Sequence, residues 1–380
     1  MKKSELDDLT AWHEDQSHSN PEDRRFTLSD LEPSLKNLGP LFEVSVLGQS
    51  FESRSIYKVV VGSGREKVLI WTQMHGNEST GTKAVLDFFN WIENPGSQTD
   101  LRDALIGSCT LCVIPMLNPD GAERYTRLDS QGIDLNRDVL DRKAPESSIL
   151  QELLKNFDPD YCFNMHDQRT IFSVGSPPQT ATLSFLAPSE DEERSVTPGR
   201  IRTMEVIVAM YESLKGALSG RIGRYTDEFY PAATGDNFQK MGYSTILIES
   251  GHFPADYQRK QTRKYTFLAL LSGLHHIACD SQEDYKTYFQ IPNNEKQYLD
   301  RIVKNVRIGE KKGDLGVYFK ERLVGDQVEF VPTLDCFDDL SEFGADDIVS
   351  GDHLTFASRE DAENWLVIEF FIDGLLTIQQ

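Results

Sequence analysis

Short apolar runs alternate along this chain with segments in which apolar residues recur every three or four positions. The runs KVLIWTQMHG, CTLCVIPML, YCFNMHDQ and YSTILIESG are bounded by turn residues, which predicts buried strands. The segments TGTKAVLDFFNWIEN, RIRTMEVIVAMYESLKGAL and QTRKYTFLALLSGLHHIAC have helical spacing. Strands that alternate with helices predict an α/β fold whose sheet is covered on both faces.

The two ends of the chain differ from this pattern. Residues 1 to about 24 are polar and predict loose or short helical structure, and Thr27 is a candidate cap for the helix TLSDLEPSLKNL. After about residue 282 we predict short strands in NVRIG, LGVYFKE, QVEFVP and WLVIEFFIDGLLTIQ. The chain is therefore predicted to comprise a large α/β domain (1–282) and a small, mostly β C-terminal domain (283–380).

The composition excludes some classes of function. With 61 acidic and 39 basic residues the formal net charge is −22, which disfavours binding to nucleic acid and to anionic membrane surfaces. We see no signal peptide and no apolar stretch long enough to span a membrane. The five scattered cysteines favour a reduced, cytoplasmic protein over a disulfide framework. Cys109 and Cys112 form a C-x-x-C on a predicted strand, so they point to opposite faces and we interpret them as core residues.

Three side chains suggest a metal site. His75 and Glu78 have the spacing H-x-x-E in a loop that enters a helix, and His166 ends another predicted strand. Imidazole nitrogens and carboxylate oxygens are good zinc ligands, and a catalytic zinc commonly has three protein ligands and one open position. Each residue alone has an ordinary explanation as a surface or locally hydrogen-bonded side chain. Together, at strand ends, they favour a metal site.

Further polar residues lie close to strand ends. Arg127, Asn136 and Arg137 follow the turn Asn118–Gly121, and guanidinium groups bind carboxylates and stabilise oxyanions. Glu249 ends an apolar strand, where a carboxylate is costly unless it is paired or used. Its functional interpretation is a general base, and the alternative is a helix cap or a buried ion pair.

In this order the motifs resemble those of the zinc carboxypeptidase family M14 over roughly residues 27–280. The matching positions are Gly48, Ser50, Arg54 and Ile56 (G-x-S-x-x-x-R-x-I), His75 and Glu78, Asn118–Gly121, Arg127, Gly132, Asp134, Asn136 and Arg137 (R…G-x-D-x-N-R), His166 and Glu249. The resemblance implies a mixed, twisted sheet with helices on both faces. It also implies one Zn²⁺ per chain, held by His75, Glu78 and His166.

The same resemblance implies the roles of the other residues. Arg127 would bind the oxyanion, with Arg124 as a rival, and Glu249 would act as general base on a zinc-bound water. Asn136 and Arg137 would hold the terminal carboxylate of the substrate. The family's mobile tyrosine matches Tyr230 best, with Tyr225 as a weaker rival. Asp236 is a candidate for the specificity pocket, and His252 is either a supporting residue behind Glu249 or a solvent-exposed loop residue.

Three functions follow as hypotheses. The first is a metallocarboxypeptidase-like hydrolase that cleaves an amide bond next to a free carboxylate, in a peptide or an acylated amino acid. The second is an N-acyl amino acid deacylase, because HGNESTG and the E-x-G at Glu249 also resemble aspartoacylase and succinylglutamate desuccinylase. The third is a catalytically inactive binding module, which is disfavoured because ligands, base and arginines are all present.

Overall fold

The computed structural model describes residues 1–16 and 23–372, and its largest part is an eight-stranded sheet. The strands of the chain are β1 (Phe42–Gln49), β2 (Ser55–Val61), β3 (Glu66–Thr72), β4 (Cys109–Ile114), β5 (Tyr161–Asp167), β6 (Phe172–Val174), β7 (Gln179–Thr180), β8 (Leu183–Leu186), β9 (Ile222–Arg224), β10 (Ser244–Ser250), β11 (Glu295–Lys296), β12 (Tyr298–Ile308), β13 (Lys311–Val324), β14 (Gln327–Asp338), β15 (Gly344–Ser350) and β16 (Thr355–Phe356). The large sheet has the order β1-β2-β4-β3-β5-β10-β8-β9.

The centre of this sheet is parallel and its flanks are mixed. Strands β4, β3, β5 and β10 run parallel to one another, whereas β1 and β2, β2 and β4, and β10 and β8 pair antiparallel. The expected mixed sheet is therefore confirmed. Parallel neighbours bring their carboxyl ends to the same edge, and loops that follow these ends can share one site.

Helices cover both faces of the large sheet. The helices are α1 (Lys3–Gln16), α2 (Leu28–Lys36), α3 (Thr80–Glu93), α4 (Thr99–Ser108), α5 (Pro119–Arg124), α6 (Pro145–Phe157), α7 (Pro198–Leu214), α8 (Thr234–Lys240), α9 (Lys260–Ala278) and α10 (Arg359–Ile372). In β3, Val68 and Ile70 pack in the core formed with α3, α7 and α9, whereas Leu69 and Trp71 face the core formed with α6 and α8. This alternation explains why β3 is apolar at consecutive positions.

The two cysteines of the C-x-x-C follow the same alternation. Cys109 belongs to the core on one face of β4 and Cys112 to the core on the other, and both thiols are free. The interpretation of these residues as core residues is confirmed.

The N-terminal segment is more helical than expected. Helix α1 packs against α9, with Leu9 fully buried, while residues 17–22 of the segment predicted to be loose lie outside the described residues. Helix α2 begins at Leu28, directly after Thr27, whose N–H and hydroxyl both donate to Asp30. The helix predicted after Thr27 is thus confirmed. Within the described ranges, no helix combines the length and apolar character that crossing a bilayer requires.

The C-terminal region is a sheet of the order β14-β13-β12-β15, with β16 beside β12. One prediction here is wrong for the described residues: of the segment WLVIEFFIDGLLTIQ, residues 365–372 belong to helix α10 rather than to a strand, and residues 373–380 lie outside the described part. Ser358 and Asp361 cap this helix by exchanging side-chain-to-backbone hydrogen bonds. Ala362 and Leu366, four residues apart, pack against the sheet. Because the sequence from Trp365 onward is almost continuously apolar, this helical spacing could not be recognised in it.

The junction between the two sheets lies near residue 290. A 3-10 helix at Tyr285–Gln290 packs against α7, and the side chains of Tyr288 and Ile291 belong to the core of the large sheet. The C-terminal sheet begins with Tyr298. The boundary between residues 282 and 283 stays a prediction, and the packing of residues 285–291 favours one slightly further along the chain.

Candidate active site

The candidate metal ligands meet at the carboxyl edge of the parallel strands. His75 lies in the loop after β3, and Glu78 lies two residues before α3 begins. His166 lies near the end of β5, which is hydrogen-bonded to β3. The strand order thus brings together residues that are 91 positions apart in the sequence.

The three side chains converge on one point. Nδ1 of His75 lies 3.1 Å from Nδ1 of His166, and the Glu78 carboxylate lies 2.9 Å from each of these nitrogens. Both histidines are buried. One candidate ligand atom from each residue lies within 4.8 Å of those of the other two.

This donor set fits a zinc ion. Two imidazole nitrogens and one carboxylate oxygen are a known ligand set for catalytic zinc, and ligands at about 2.0–2.2 Å from one tetrahedral ion lie about 3.4 Å apart. The distances of 2.9–3.1 Å between the facing atoms are close to that spacing. Burial lowers the pKa of His166, which favours the neutral form that a metal ligand needs.

Asp134 orients one ligand from behind. Its carboxylate lies 3.2 Å from Nε2 of His75, which leaves Nδ1 of that ring available to a metal. Burial opposes ionisation, but the hydrogen bond and charge of His75 outweigh it and lower the pKa of Asp134. The sequence had assigned no role to Asp134, although it is the aspartate of the G-x-D-x-N-R motif. The position of this acid within the motif, two residues before Asn136, was the available signal.

Arg127 stands at the rim of the ligand cluster. Its Nε donates to Asp134 at 3.0 Å, and its Nη1 lies 3.2 Å from Nδ1 of His75. The side chain is 45% exposed, so it can also reach a group that enters from solvent. The rival Arg124 instead pairs with Glu52 on the surface. Of the two arginines, the structure therefore brings Arg127 to the ligands.

Asn136 and Arg137 lie on a 3-10 helix at Leu135–Arg137, beside the start of α8. The Asn136 side chain accepts a hydrogen bond from the Thr234 N–H at 3.0 Å, which fixes its amide. Arg137 lies over the ring of Tyr230, 5.6 Å from the ring centroid. Tyr230 is half-exposed, and its N–H donates to Asp236.

Glu249 lies next to His166. The two residues are register partners on the parallel strands β10 and β5, so their side chains emerge side by side. Burial, together with the negative charges of Glu78 and Asp167, raises the pKa of Glu249 well above its usual value. A carboxyl whose pKa is raised in this way holds a proton more readily than an exposed glutamate.

One cavity of about 830 Å³ joins these groups. Every residue assigned to the site from the sequence lines it, namely His75, Glu78, Arg127, Asn136, Arg137, His166, Tyr230 and Glu249. Tyr225 and Asp236 line it too. The structure thus brings the predicted residues together, while their individual roles stay predictions. Since both tyrosines line the cavity, Tyr225 stays a rival to Tyr230.

His252 lies elsewhere. Its ring is buried and its Nε2 lies 2.7 Å from Asp346 of the C-terminal sheet. It is therefore not a loop residue in solvent, and its contact is with the second sheet.

Sequence reasoning also missed a buried link behind the ligands. Asp167 follows His166, its N–H donates to Glu78 at 3.1 Å, and its carboxylate accepts from Arg24 at 2.9 Å. Arg24 also pairs with Glu321 of the C-terminal sheet at 3.1 Å. No local sequence pattern joins residues so far apart, so this contact could only be found from the fold.

Comparison with known proteins agrees with this geometry. The family model described as zinc carboxypeptidase (M14) matches residues 34–176. Human carboxypeptidase D is 24% identical over 185 residues, which cover 39% of this chain but only 13% of that protein. The matched part therefore spans a small fraction of this curated relative.

Solved structures show the same fold. A metallo-carboxypeptidase from Burkholderia cenocepacia aligns over 68% of this chain and 70% of its own, with a TM-score of 0.57 and 15% identity. Carboxypeptidase A from Helicoverpa armigera aligns over 73% of this chain and 80% of its own, with a TM-score of 0.53 and 15% identity. Residues 34–176 thus match the zinc carboxypeptidase family model, and the fold of a larger part of the chain is that of metallo-carboxypeptidases.

Proposed function

We propose that this chain is a zinc-dependent, metallocarboxypeptidase-like hydrolase that cleaves an amide bond next to a free carboxylate. The observation that carries the proposal is the single cavity in which the cluster of His75, Glu78 and His166 lies with Glu249, Arg127 and Arg137. Ligands, base, oxyanion donor and carboxylate anchor are the components that this reaction requires. The cytoplasmic location expected from the sequence stays a prediction.

The proposed mechanism divides the work among these residues. Zinc held by the cluster would lower the pKa of a water molecule to about 7 and polarise the scissile carbonyl. Glu249 takes a proton from the attacking water and passes it to the leaving amine. Arg127 donates hydrogen bonds to the oxygen on which negative charge develops. Arg137 and Asn136 hold the terminal carboxylate and thereby align the amide with Glu249.

The test compares blocked dipeptides with a free and an amidated C-terminus on zinc-loaded protein. We expect the free acid to be cleaved at least about 100-fold faster, because loss of a hydrogen-bonded charge partner costs about 2–5 kcal/mol. Arg137→Gln should remove this preference. Glu249→Gln should lower kcat/KM by about 10²–10⁴-fold, the usual contribution of general acid–base catalysis, with zinc content and melting temperature unchanged.

Several outcomes would contradict the proposal. Equal rates on both substrates would exclude the anchoring role of Arg137, and full activity of Glu249→Gln would exclude the base. Cleavage of N-acetyl or N-succinyl amino acids without cleavage of peptides would favour the deacylase. A purified protein that neither contains nor binds zinc would favour the binding module.

A further inference from the structure

A second cavity, of about 390 Å³, lies between the large sheet and the C-terminal sheet. We call it the interdomain cavity. It shares five lining residues with the larger cavity, namely Asn77, Glu78, Asp167, Gln168 and Arg169. Its opposite wall is formed by Tyr318–Glu321 on β13. The C-terminal sheet therefore encloses space that borders directly on the metal ligand Glu78.

The position of this cavity indicates which part of the substrate it can hold. Asn136 and Arg137 line the larger cavity only, whereas both cavities meet at Glu78 and Arg169. If Arg137 holds the carboxylate of the leaving amino acid, the interdomain cavity continues from the metal on the side away from that anchor. It then lies where the acyl side of the substrate must extend.

Basic side chains without a carboxylate partner line the interdomain cavity. Arg169 and Lys320 are exposed within it, and among the described residues neither forms an ion pair. Arg259 is buried, and its guanidinium donates to the backbone carbonyls of Ser250, Gly251 and Gln168 rather than to a carboxylate. In a chain of net charge −22, Arg169 and Lys320 thus offer hydrogen-bond donors to an anion, and Arg259 adds a positive charge.

Most carboxylates at the same cavity are already engaged. Asp167 and Glu321 both accept from Arg24, and Asp300 accepts from the Tyr257 hydroxyl at 3.0 Å and the Phe319 N–H at 2.7 Å. Burial raises the pKa of Asp300, which favours its neutral form. Only Asp335 lies exposed at the rim. The hydrogen-bond donors of this cavity are thus available to a ligand, whereas most of its carboxylates already accept hydrogen bonds from the protein.

We propose that the interdomain cavity binds an acidic group on the acyl side of the scissile amide, through Arg169 and Lys320. This inference rests on the proposed function, since Arg137 sets the direction of the substrate. The acidic group belongs either to a glutamyl or aspartyl residue that precedes the C-terminal residue or to a dicarboxylic acyl group on an amino acid. Arg169 and Lys320 are specificity-determining residues here, because neither contacts the reacting atoms.

The experiment measures kcat/KM on N-acetylated dipeptides that differ only in the residue before the C-terminus, which is Glu, Gln, Ala or Lys. A second arm compares an N-succinyl amino acid with its uncharged N-succinamoyl counterpart. We expect the charged member to be preferred over its neutral partner by about tenfold, as for one partly exposed charge-assisted contact. The first arm responds if the acid is an amino-acid side chain, and the second if it is the acyl group.

The double variant Arg169→Gln/Lys320→Gln should bring the Glu/Gln ratio to within about twofold, whatever its effect on the rate with the Ala substrate. The matched control is Lys311→Gln, an exposed lysine at the start of the same strand β13, which should keep the wild-type ratio. A wild-type ratio near one in both arms, or a ratio that survives in the double variant, would overturn the inference.

A measurement of peptide binding distinguishes failure of the inference about the interdomain cavity from failure of the proposed function. If no substrate is cleaved, the proposed function is wrong, and calorimetry with the Glu and Gln peptides on zinc-loaded protein still measures the preference of the cavity. A preference that disappears in the double variant supports the cavity, and equal affinities in wild type refute it.

Discussion

The two sheets of this protein are built in different ways. The central strands of the large sheet are buried on both faces by helices, so their side chains are almost entirely apolar until the strands end. Among the described residues the C-terminal sheet has one helix, α10, against its core. In β14 the buried residues Phe330, Pro332 and Leu334 alternate with half-buried ones, and β15 is half-buried or exposed throughout. Polar side chains are scattered along these strands rather than collected at one edge.

This difference in construction explains why the candidate catalytic residues lie on the large sheet and not on the C-terminal sheet. Parallel strands buried on both faces place polar residues only at their ends, and this concentrates His166 and Glu249 in one cavity. In the C-terminal sheet β13 pairs antiparallel with both β12 and β14, so the carboxyl ends of these three strands do not share one edge. Besides the wall of the interdomain cavity, this sheet supplies polar contacts with the rest of the chain, through Asp300, Glu321 and Asp346.

These contacts are buried and charged, so the comparison can be tested by breaking them. If the C-terminal sheet only supports the site, changes at the junction should alter stability and metal retention more than the chemical step.

The largest effect is expected at Arg24. Its side chain is 4% exposed and pairs with Asp167 of the large sheet and Glu321 of the C-terminal sheet. Arg24→Leu leaves two carboxylates without their cation, and breaking a buried ion pair in this way costs about 3–5 kcal/mol. We expect denaturant unfolding to show this loss of stability, and zinc dialysis to show weaker retention, since Asp167 also contacts Glu78.

Arg25→Leu is the matched control. Arg25 pairs with Glu123 and Asp326, whose side chains are 42% and 93% exposed, so its loss should cost less than about 1 kcal/mol. Equal destabilisation by the two variants would contradict the idea that Arg24 joins the sheets.

The sequence predicted the large sheet better than the C-terminal one, for physical reasons. Buried parallel strands leave a strong signal because apolar residues are needed on both faces, and strand ends are marked by the polar residues His75, His166 and Glu249. In the C-terminal region, WLVIEFF was predicted to be a strand because an apolar run has no visible period. The cap formed by Ser358 and Asp361 was the local signal for a helix.

The contacts between the sheets were not predictable from the sequence. Arg24 and Glu321 are separated by 297 positions, and nothing in their neighbours indicates pairing. The ordered motifs indicated which residues would meet around the metal, but the second wall of the interdomain cavity depends on how β13 docks. Docking is set by long-range packing, which leaves no local pattern.

Glu146 provides a test within the large-sheet region. It is buried on α6, only one of its carboxyl oxygens has a partner, and burial with the nearby charges of Asp129 and Asp120 raises its pKa to about 7. The folded protein therefore binds this proton more tightly than the unfolded chain, and stability should fall as pH rises from about 4.5 to about 7. Glu146→Gln should be more stable than wild type at pH 8, by up to about 3 kcal/mol, and similar to it at pH 4.

Thermal unfolding of both proteins between pH 4 and pH 8 measures this difference. Glu152→Gln, an exposed glutamate on the same helix, should follow the wild-type curve. Parallel curves for Glu146→Gln and wild type would show that Glu146 does not titrate in this range.

Asp346 should respond to pH in the opposite direction, with a smaller effect. It joins the C-terminal sheet to His252 at 2.7 Å, and it accepts from the Ala255 N–H and the Tyr298 hydroxyl. Burial raises the pKa of Asp346, but these hydrogen bonds outweigh it and lower the pKa below the usual 3.8. Its contribution is therefore present above about pH 4 and is lost as pH falls through the lowered value. Asp346→Asn should destabilise the protein by about 1 kcal/mol at pH 7, and this difference should shrink as the pH falls below about 4. The neighbouring Asp347→Asn removes a half-exposed carboxylate paired with Arg301 and should change stability by less than about 0.5 kcal/mol. If Asp346→Asn were as stable as wild type at pH 7, the contact with His252 would contribute nothing measurable to the junction between the two sheets.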